Sequence, residues 1–143
     1  RPHGAYGKVL VATDFSEEAG AALRQAAQIW PEGLILFHAF DAPFAGWTGK
    51  DDYLADARNH ALAKIGTVLD GAGLPPEARR SIVVIAEHGS LDALLQADVR
   101  NRRVDLIVMG LPERGAVMEA LIGSRAKAVR DYVPCDVLLV PPR

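Results

Sequence analysis

The sequence predicts an α/β domain in which a parallel β-sheet carries helices on both faces. Three observations carry that expectation. Five short runs dense in Val, Ile and Leu recur along the chain. Longer stretches between them place apolar residues three and four apart. The two kinds alternate from one end to the other. Unbroken apolar runs mark strands buried on both faces, which is how parallel sheets read. Regular alternation with helices is the pattern of a sheet covered on each side.

Each element has its own signal. Lys8 to Thr13 (KVLVAT) is the first expected strand. Ser16 stands where an N-cap belongs, because its oxygen can accept an orphan backbone N–H. Glu17 and Glu18 favour the positive start of the helix that follows. That helix shows one apolar face at Ala19, Ala22, Leu23, Ala26 and Trp30. Pro31-Glu32-Gly33 stops it. Leu34 to Phe40 (LILFHAF) is the second strand. Asp41 to Lys50 (DAPFAGWTGK) is the longest irregular stretch, expected to be a flap over one edge of the sheet. Asp51 is the expected cap of a second helix with Leu54, Ala57, Ala61, Ile65, Val68 and Leu69 on one side. Gly71 to Pro76 reads as its stop. Ile82 to Ala86 is the third strand, and Ser90 caps a third helix bearing Leu91, Leu94, Leu95 and Val99. Leu106 to Met109 is the fourth strand. Val117, Leu121, Ile122 and Val129 mark a fourth helix, and Val137 to Val140 the last strand.

With 143 residues, the chain fits one domain, 1–143, with an N-terminal arm over 1–7. A chain of this size buries roughly two-thirds of the surface it exposes when unfolded, enough for a core without staples. Acidic and basic residues are interspersed and the net charge is −2. That argues against nucleic acid as a partner, which needs a basic surface to replace counterions. No apolar run approaches the roughly 20 residues that span a bilayer. The start of the chain is polar and turn-like, unlike a secretion signal. Cys135 has no second cysteine to pair with, so a reducing cytoplasm is the expected compartment.

In an open parallel sheet a ligand sits beyond the carboxyl ends of the strands, where the chain order reverses. The loops at that end are Asp14-Phe15-Ser16, Asp41 onward, His88-Gly89-Ser90, and Gly110 to Ala116. The last is richest in signal, with Gly110, Gly115 and, further on, Gly123-Ser124. Glycines allow backbone N–H groups to approach an anion, and a serine hydroxyl can add a bond to phosphate. The plainer alternative is that Gly110 and Gly115 turn the chain and Gly123 admits a close neighbour. Gly110 and Gly115 have P-loop spacing, but Ala116 and Val117 stand where lysine and a magnesium-binding hydroxyl are required, so a P-loop is excluded. No paired Cys or His spacing suggests zinc among His38, His88 and Cys135. Both histidines read as strand-end or pocket-lining groups, and Cys135 as a buried inert thiol. Asp14, Ser16 and His38 lack the strained elbow of a hydrolase, leaving Ser16 as a helix cap. Phe44 and Trp47 in the flap either stack on a base or clamp their own loop. No catalytic residues are assigned.

These residues resemble a known family. Val11-Ala12-Thr13-Asp14-Phe15-Ser16, His38-Ala39, Gly89-Ser90-Leu91-Asp92, Asp105 to Gly110 and Pro134 to Pro141 are similar to motifs of the universal stress proteins, from Lys8 to nearly the end. The resemblance implies a Rossmann-like sheet with strand order 3-2-1-4-5, and a switch point between the Asp14 and Gly110 loops. It implies a stress-associated regulatory or binding protein with a pocket for ATP or another adenine nucleotide, Mg²⁺ accompanying it. ATP-binding members carry Gly-x-x-Gly, nine residues, then Gly-Ser/Thr after the fourth strand. Gly110, Gly123 and Ser124 match that pattern. Glu113 stands at the second glycine and departs from it. Asp14 matches the residue used against adenine or ribose, with Ala12 and Thr13 leading into it. Ala39 and Met109 fall at adenine-lining positions. Arg114 and Arg125 are placed to offset Glu113, beside Gly115. A charge 4 Å from a phosphate costs ~1 kcal/mol in water and ~4 kcal/mol at an effective dielectric near 20. AMP or ADP therefore suffers less than ATP, and any ATP hydrolysis is expected to be slow. The resemblance also implies a homodimer paired through Val137, Leu138, Leu139 and Val140. The alternative is a dimerisation or interaction module without nucleotide, or one half of a tandem protein.

Overall fold

The computed structural model describes residues 6–40, 51–110 and 135–141. The expected flap over 41–50, the phosphate loop beyond Gly110, the fourth helix and residues 1–5 of the arm lie outside the described residues. The strands are β1 (Val9–Ala12), β2 (Leu34–Phe40), β3 (Val83–His88), β4 (Leu106–Gly110) and β5 (Asp136–Val140). The described helices are α1 (Glu17–Ile29), α2 (Asp51–Gly71), α3 (Pro76–Ser81) and α4 (Leu91–Arg102).

The sheet runs β3-β2-β1-β4-β5, and all of its pairings are parallel. Side chains alternate across it because the strand period is two. Val9, Val11, Leu34, Leu36, Leu106 and Val108 face one way, packing with Ala22, Leu23 and Ala26 of α1, Ala61, Ile65 and Leu69 of α2, and Ala78 of α3. Leu10, Ala12, Ile35, Phe37, Ile107 and Met109 face the other, packing with Leu95 and Val99 of α4. Both faces are thus covered. Fully buried Phe37, Leu10, Leu36 and Ile107 each contribute about 1.5–3 kcal/mol through removal from water.

The predicted apolar faces of the first three helices match the ones that are buried, and the strand boundaries shift by a residue or two. β3 begins at Val83 and continues to His88, past the expected end at Ala86. Asp51 is the first helical residue rather than the cap before it. Ser90 occupies the cap position of α4, but its side chain makes no capping hydrogen bond. Helix α3 was not anticipated, because Pro76 reads as a stop. Here it opens the helix, where proline's missing N–H has no partner to lose.

Two ties set the first strand in register. The Asp105 carboxylate accepts from the backbone N–H of Gly7 at 2.8 Å and of Lys8 at 3.0 Å. The Tyr6 hydroxyl donates to Asp136 Oδ2 at 2.7 Å, and its ring meets Trp30 edge-on at 5.9 Å. Asp105 opens the motif that leads into β4, and it holds the backbone just before β1. Gly33 turns the chain into β2 with φ +78, and a Cβ there would lie 2.8 Å from the Gly7 carbonyl oxygen.

Candidate functional site

β1 is the centre of the sheet and its neighbours are β2 and β4. The chain builds outward on one side of β1 through β2 and β3, then crosses back to β4. The chain order therefore reverses between β1 and β4, the switch point at whose carboxyl end open parallel sheets bind ligands. Ala12 is in register with Met109, so the Thr13-Asp14 turn and Gly110 leave the sheet side by side. Ala12, Ala39 and Met109 share the sheet face that carries α4. Two of the three are alanines.

The turn after β1 is tightly built. The Thr13 N–H donates to the Phe37 carbonyl at 2.9 Å, continuing the β1–β2 pairing. The Phe15 N–H donates to Thr13 Oγ1 at 3.1 Å, and the Ser16 N–H to Asp14 Oδ1 at 3.0 Å. Ser16 Oγ then accepts from the Ala19 N–H at 3.1 Å, making Ser16 the expected helix cap. Asp14 itself is exposed, while Thr13 is buried.

Gly110 has a steric reason to be glycine. A Cβ there would sit 2.6 Å from both the nitrogen of Ala19 and the carbonyl oxygen of Glu18. The first turn of α1 packs directly on the end of β4, which brings the positive end of that helix to the switch point. The close-neighbour alternative, raised for Gly123, is what the structure shows at Gly110. Ala12, Thr13, Asp14, Ala39, Met109 and Gly110 are thus gathered at one end of the sheet. Glu113, Arg114, Gly115, Gly123, Ser124 and Arg125 lie outside the described residues, as do Phe44 and Trp47.

His38 is a strand-end residue, but it belongs to the opposite face from Ala39. Its Nδ1–H donates to the Thr13 carbonyl at 2.8 Å, and its ring lies 4.3 Å from that of Phe15. It therefore lies on the sheet face opposite Ala12, Ala39 and Met109. Phe15 has φ +68, a region an aromatic side chain rarely adopts. No sequence signal marks that strain, since only glycine or asparagine announces a left-handed position. His88, at the end of β3, lies 6.0 Å from the Phe40 ring. Among the described residues no three His, Cys, Asp or Glu side chains converge as a metal-binding set.

Cys135 is half-buried rather than buried. Burial, with Asp136 and Asp105 adding to it, pushes its thiol up to about 11, against a hydrogen bond with the Ile107 backbone. A thiol held that far above neutrality is protonated and a poor nucleophile. A cavity of about 430 Å³ lies elsewhere, between Ala21, Arg24, Gln25, Gln28 and Ile29 of α1 and Pro141 after β5. None of the described site residues is among those lining it. No described helix is long and apolar enough to cross a membrane.

The family model described as the universal stress protein family matches residues 5–141. A protein of Staphylococcus epidermidis named as a universal stress protein is 26% identical over 147 residues, covering 94% of this chain and 84% of that protein. The solved universal stress protein UspA from Lactobacillus plantarum superposes with a TM-score of 0.71 at 20% identity, over 94% of this chain and 97% of that one. A universal stress protein solved in complex with cAMP is 26% identical with a TM-score of 0.60, over 95% and 97% of the two chains. The match of fold, strand order and sequence across nearly the whole chain places this protein in the universal stress protein family.

Proposed function

We propose that this chain binds an adenine nucleotide in the crevice between the β1 and β4 loops and acts as a regulatory binding protein. The observation that carries the reading is the adjacency of the Asp14 turn and Gly110 over a floor of Ala12, Ala39 and Met109. Asp14 is the group offered to the adenine or ribose. Gly110, Arg114, Gly115, Gly123, Ser124 and Arg125 are offered to the phosphates, with Mg²⁺ entering alongside a di- or triphosphate. The relative solved in complex with cAMP lends support, because cAMP is an adenine nucleotide.

Glu113 shapes the preference. A carboxylate near the terminal phosphates opposes ATP more than AMP, at a cost of ~4 kcal/mol for charges 4 Å apart at an effective dielectric near 20. Calorimetric titration of AMP, ADP and ATP with Mg²⁺ tests this, alongside chromatography of any nucleotide released on heating the purified protein. AMP is expected to bind most tightly. Glu113→Gly is expected to tighten ATP at least about tenfold, or ~1.4 kcal/mol. No binding of any of the three nucleotides would overturn the proposal.

A second reading has its own observation. β5 is an edge strand, with Val137, Leu138 and Leu139 only partly covered. The cavity at Pro141 continues that edge along the flank of α1. Edges of this kind are normally covered, so a homodimer or interaction module built on β5 is the companion proposal. Full dimerisation without any nucleotide signal would favour it alone.

A further inference from the structure

The residue on either side of Asp14 is held by the same imidazole. His38 donates Nδ1–H to the carbonyl of Thr13 at 2.8 Å. Its ring also packs on Phe15 at 4.3 Å between centroids, tilted by 47°. Thr13 and Phe15 flank Asp14 directly, so one side chain on β2 fixes both ends of the short segment that presents the carboxylate.

Phe15 shows that this grip does energetic work. Its φ of +68 is a conformation suited to glycine. A bulky residue persists there only when its surroundings hold it. Two contacts do so. One is the His38 ring. The other is Lys64 of α2, whose Nζ sits 4.6 Å from the Phe15 ring centre in a cation–π arrangement. The strained backbone then lets the Phe15 N–H reach Thr13 Oγ1 and the Ser16 N–H reach Asp14 Oδ1. The turn, its cap at Ser16 and the start of α1 follow from that arrangement. His38 lies on the sheet face carrying α1 and α2, opposite Ala12, Ala39 and Met109, so its hold on Asp14 runs through Thr13 and Phe15.

We infer that His38, through its hydrogen bond to Thr13 and its ring on Phe15, is the positioning residue of the nucleotide site: it preorganises Asp14 for the ligand. This rests on the nucleotide reading above, and the test keeps the two separable. An asparagine side chain carries an N–H close to where the imidazole Nδ1–H lies, so His38→Asn retains the bond to Thr13, whereas His38→Ala loses it. Phe15→Gly adopts the same φ without strain and loses the ring contacts.

The experiment measures amide hydrogen exchange at Phe15 and Ser16 and AMP affinity by calorimetry in the wild type and these three variants. His38→Ala and Phe15→Gly are expected to speed exchange at both amides, with Val11 and Leu36 unchanged; His38→Ala is expected to weaken AMP about tenfold, the worth of one hydrogen bond, and Phe15→Gly, which keeps that bond, about threefold. His38→Asn is expected to stay within about threefold of the wild type in affinity, the change that ~0.6 kcal/mol produces. Phe15→Gly carries the test if His38→Ala does not fold. Unchanged exchange in both, or an asparagine variant no better than alanine, overturns the inference. If wild-type protein binds no AMP but the exchange pattern appears, the nucleotide reading falls and the grip on the turn stands.

Discussion

Asp98 projects inward from α4 with only 6% of its surface exposed. Among the described residues its Oδ2 accepts no hydrogen bond, and the Arg102 Nε–H, 3.8 Å from Oδ1, donates none. Burial raises the Asp98 pKa, Glu87 raises it further, and Arg102 opposes both. The folded state therefore holds this proton more tightly than the unfolded chain does. The penalty for burying the charge is fully present above the folded pKa, and it is relieved as pH falls through that value toward the ordinary one. Asp98→Asn is expected to melt higher than the wild type at neutral pH, with the advantage shrinking in mild acid. Thermal unfolding followed against pH checks both parts, and a lower melting point at neutrality would show that the pair with Arg102 outweighs the burial. The signal was legible: Asp98 follows Leu94 by four and Leu91 by seven, which puts it on the apolar face of the helix. Phe15 was not legible in the same way, because its backbone conformation is imposed by His38 and Lys64, residues distant in sequence.

At the scale of elements, the contact of α1 with β4 decides where the site lies. Glu18 and Ala19 come so close to Gly110 that a methyl group there would have to displace helix backbone, not a flexible side chain. Gly110→Ala is expected to destabilise the fold by about 1–3 kcal/mol, in line with other overpacked positions. Denaturant unfolding measures it, and a loss below about 0.5 kcal/mol, the size of an ordinary surface change, would show that α1 moves aside freely. The periodic faces of α1, α2 and α4 were readable because each buries one stripe against the sheet. The short helix α3 was not, since six residues give no period to read and its opening Pro76 carries opposite meanings before and inside a helix.

At the scale of the molecule, the order β3-β2-β1-β4-β5 leaves two edges. α2 and α3 lie on the β3 side of one face, whereas β5 ends the sheet with its apolar residues half-covered. An isologous pair built on β5 puts its middle residue, Leu138, nearest the two-fold axis, where it meets its own copy. Leu138→Lys would set like charges against each other there, and is expected to shift the protein to monomer in sedimentation while circular dichroism stays native. A dimer that survives this change would place the interface elsewhere.

The sequence by itself determined the α/β class, the strands, three helical faces and the turn at Asp14, because hydrophobic period and capping chemistry act over a few neighbouring residues. Strand order came only through resemblance, since local pattern says nothing of which strands pair. Tertiary structure alone decided that Gly110 is a packing glycine, that His38 bonds the Thr13 carbonyl, and that Phe15 is held in a left-handed turn. Each of these depends on contacts between segments 23 to 92 residues apart, and short-range periodicity carries no record of such contacts.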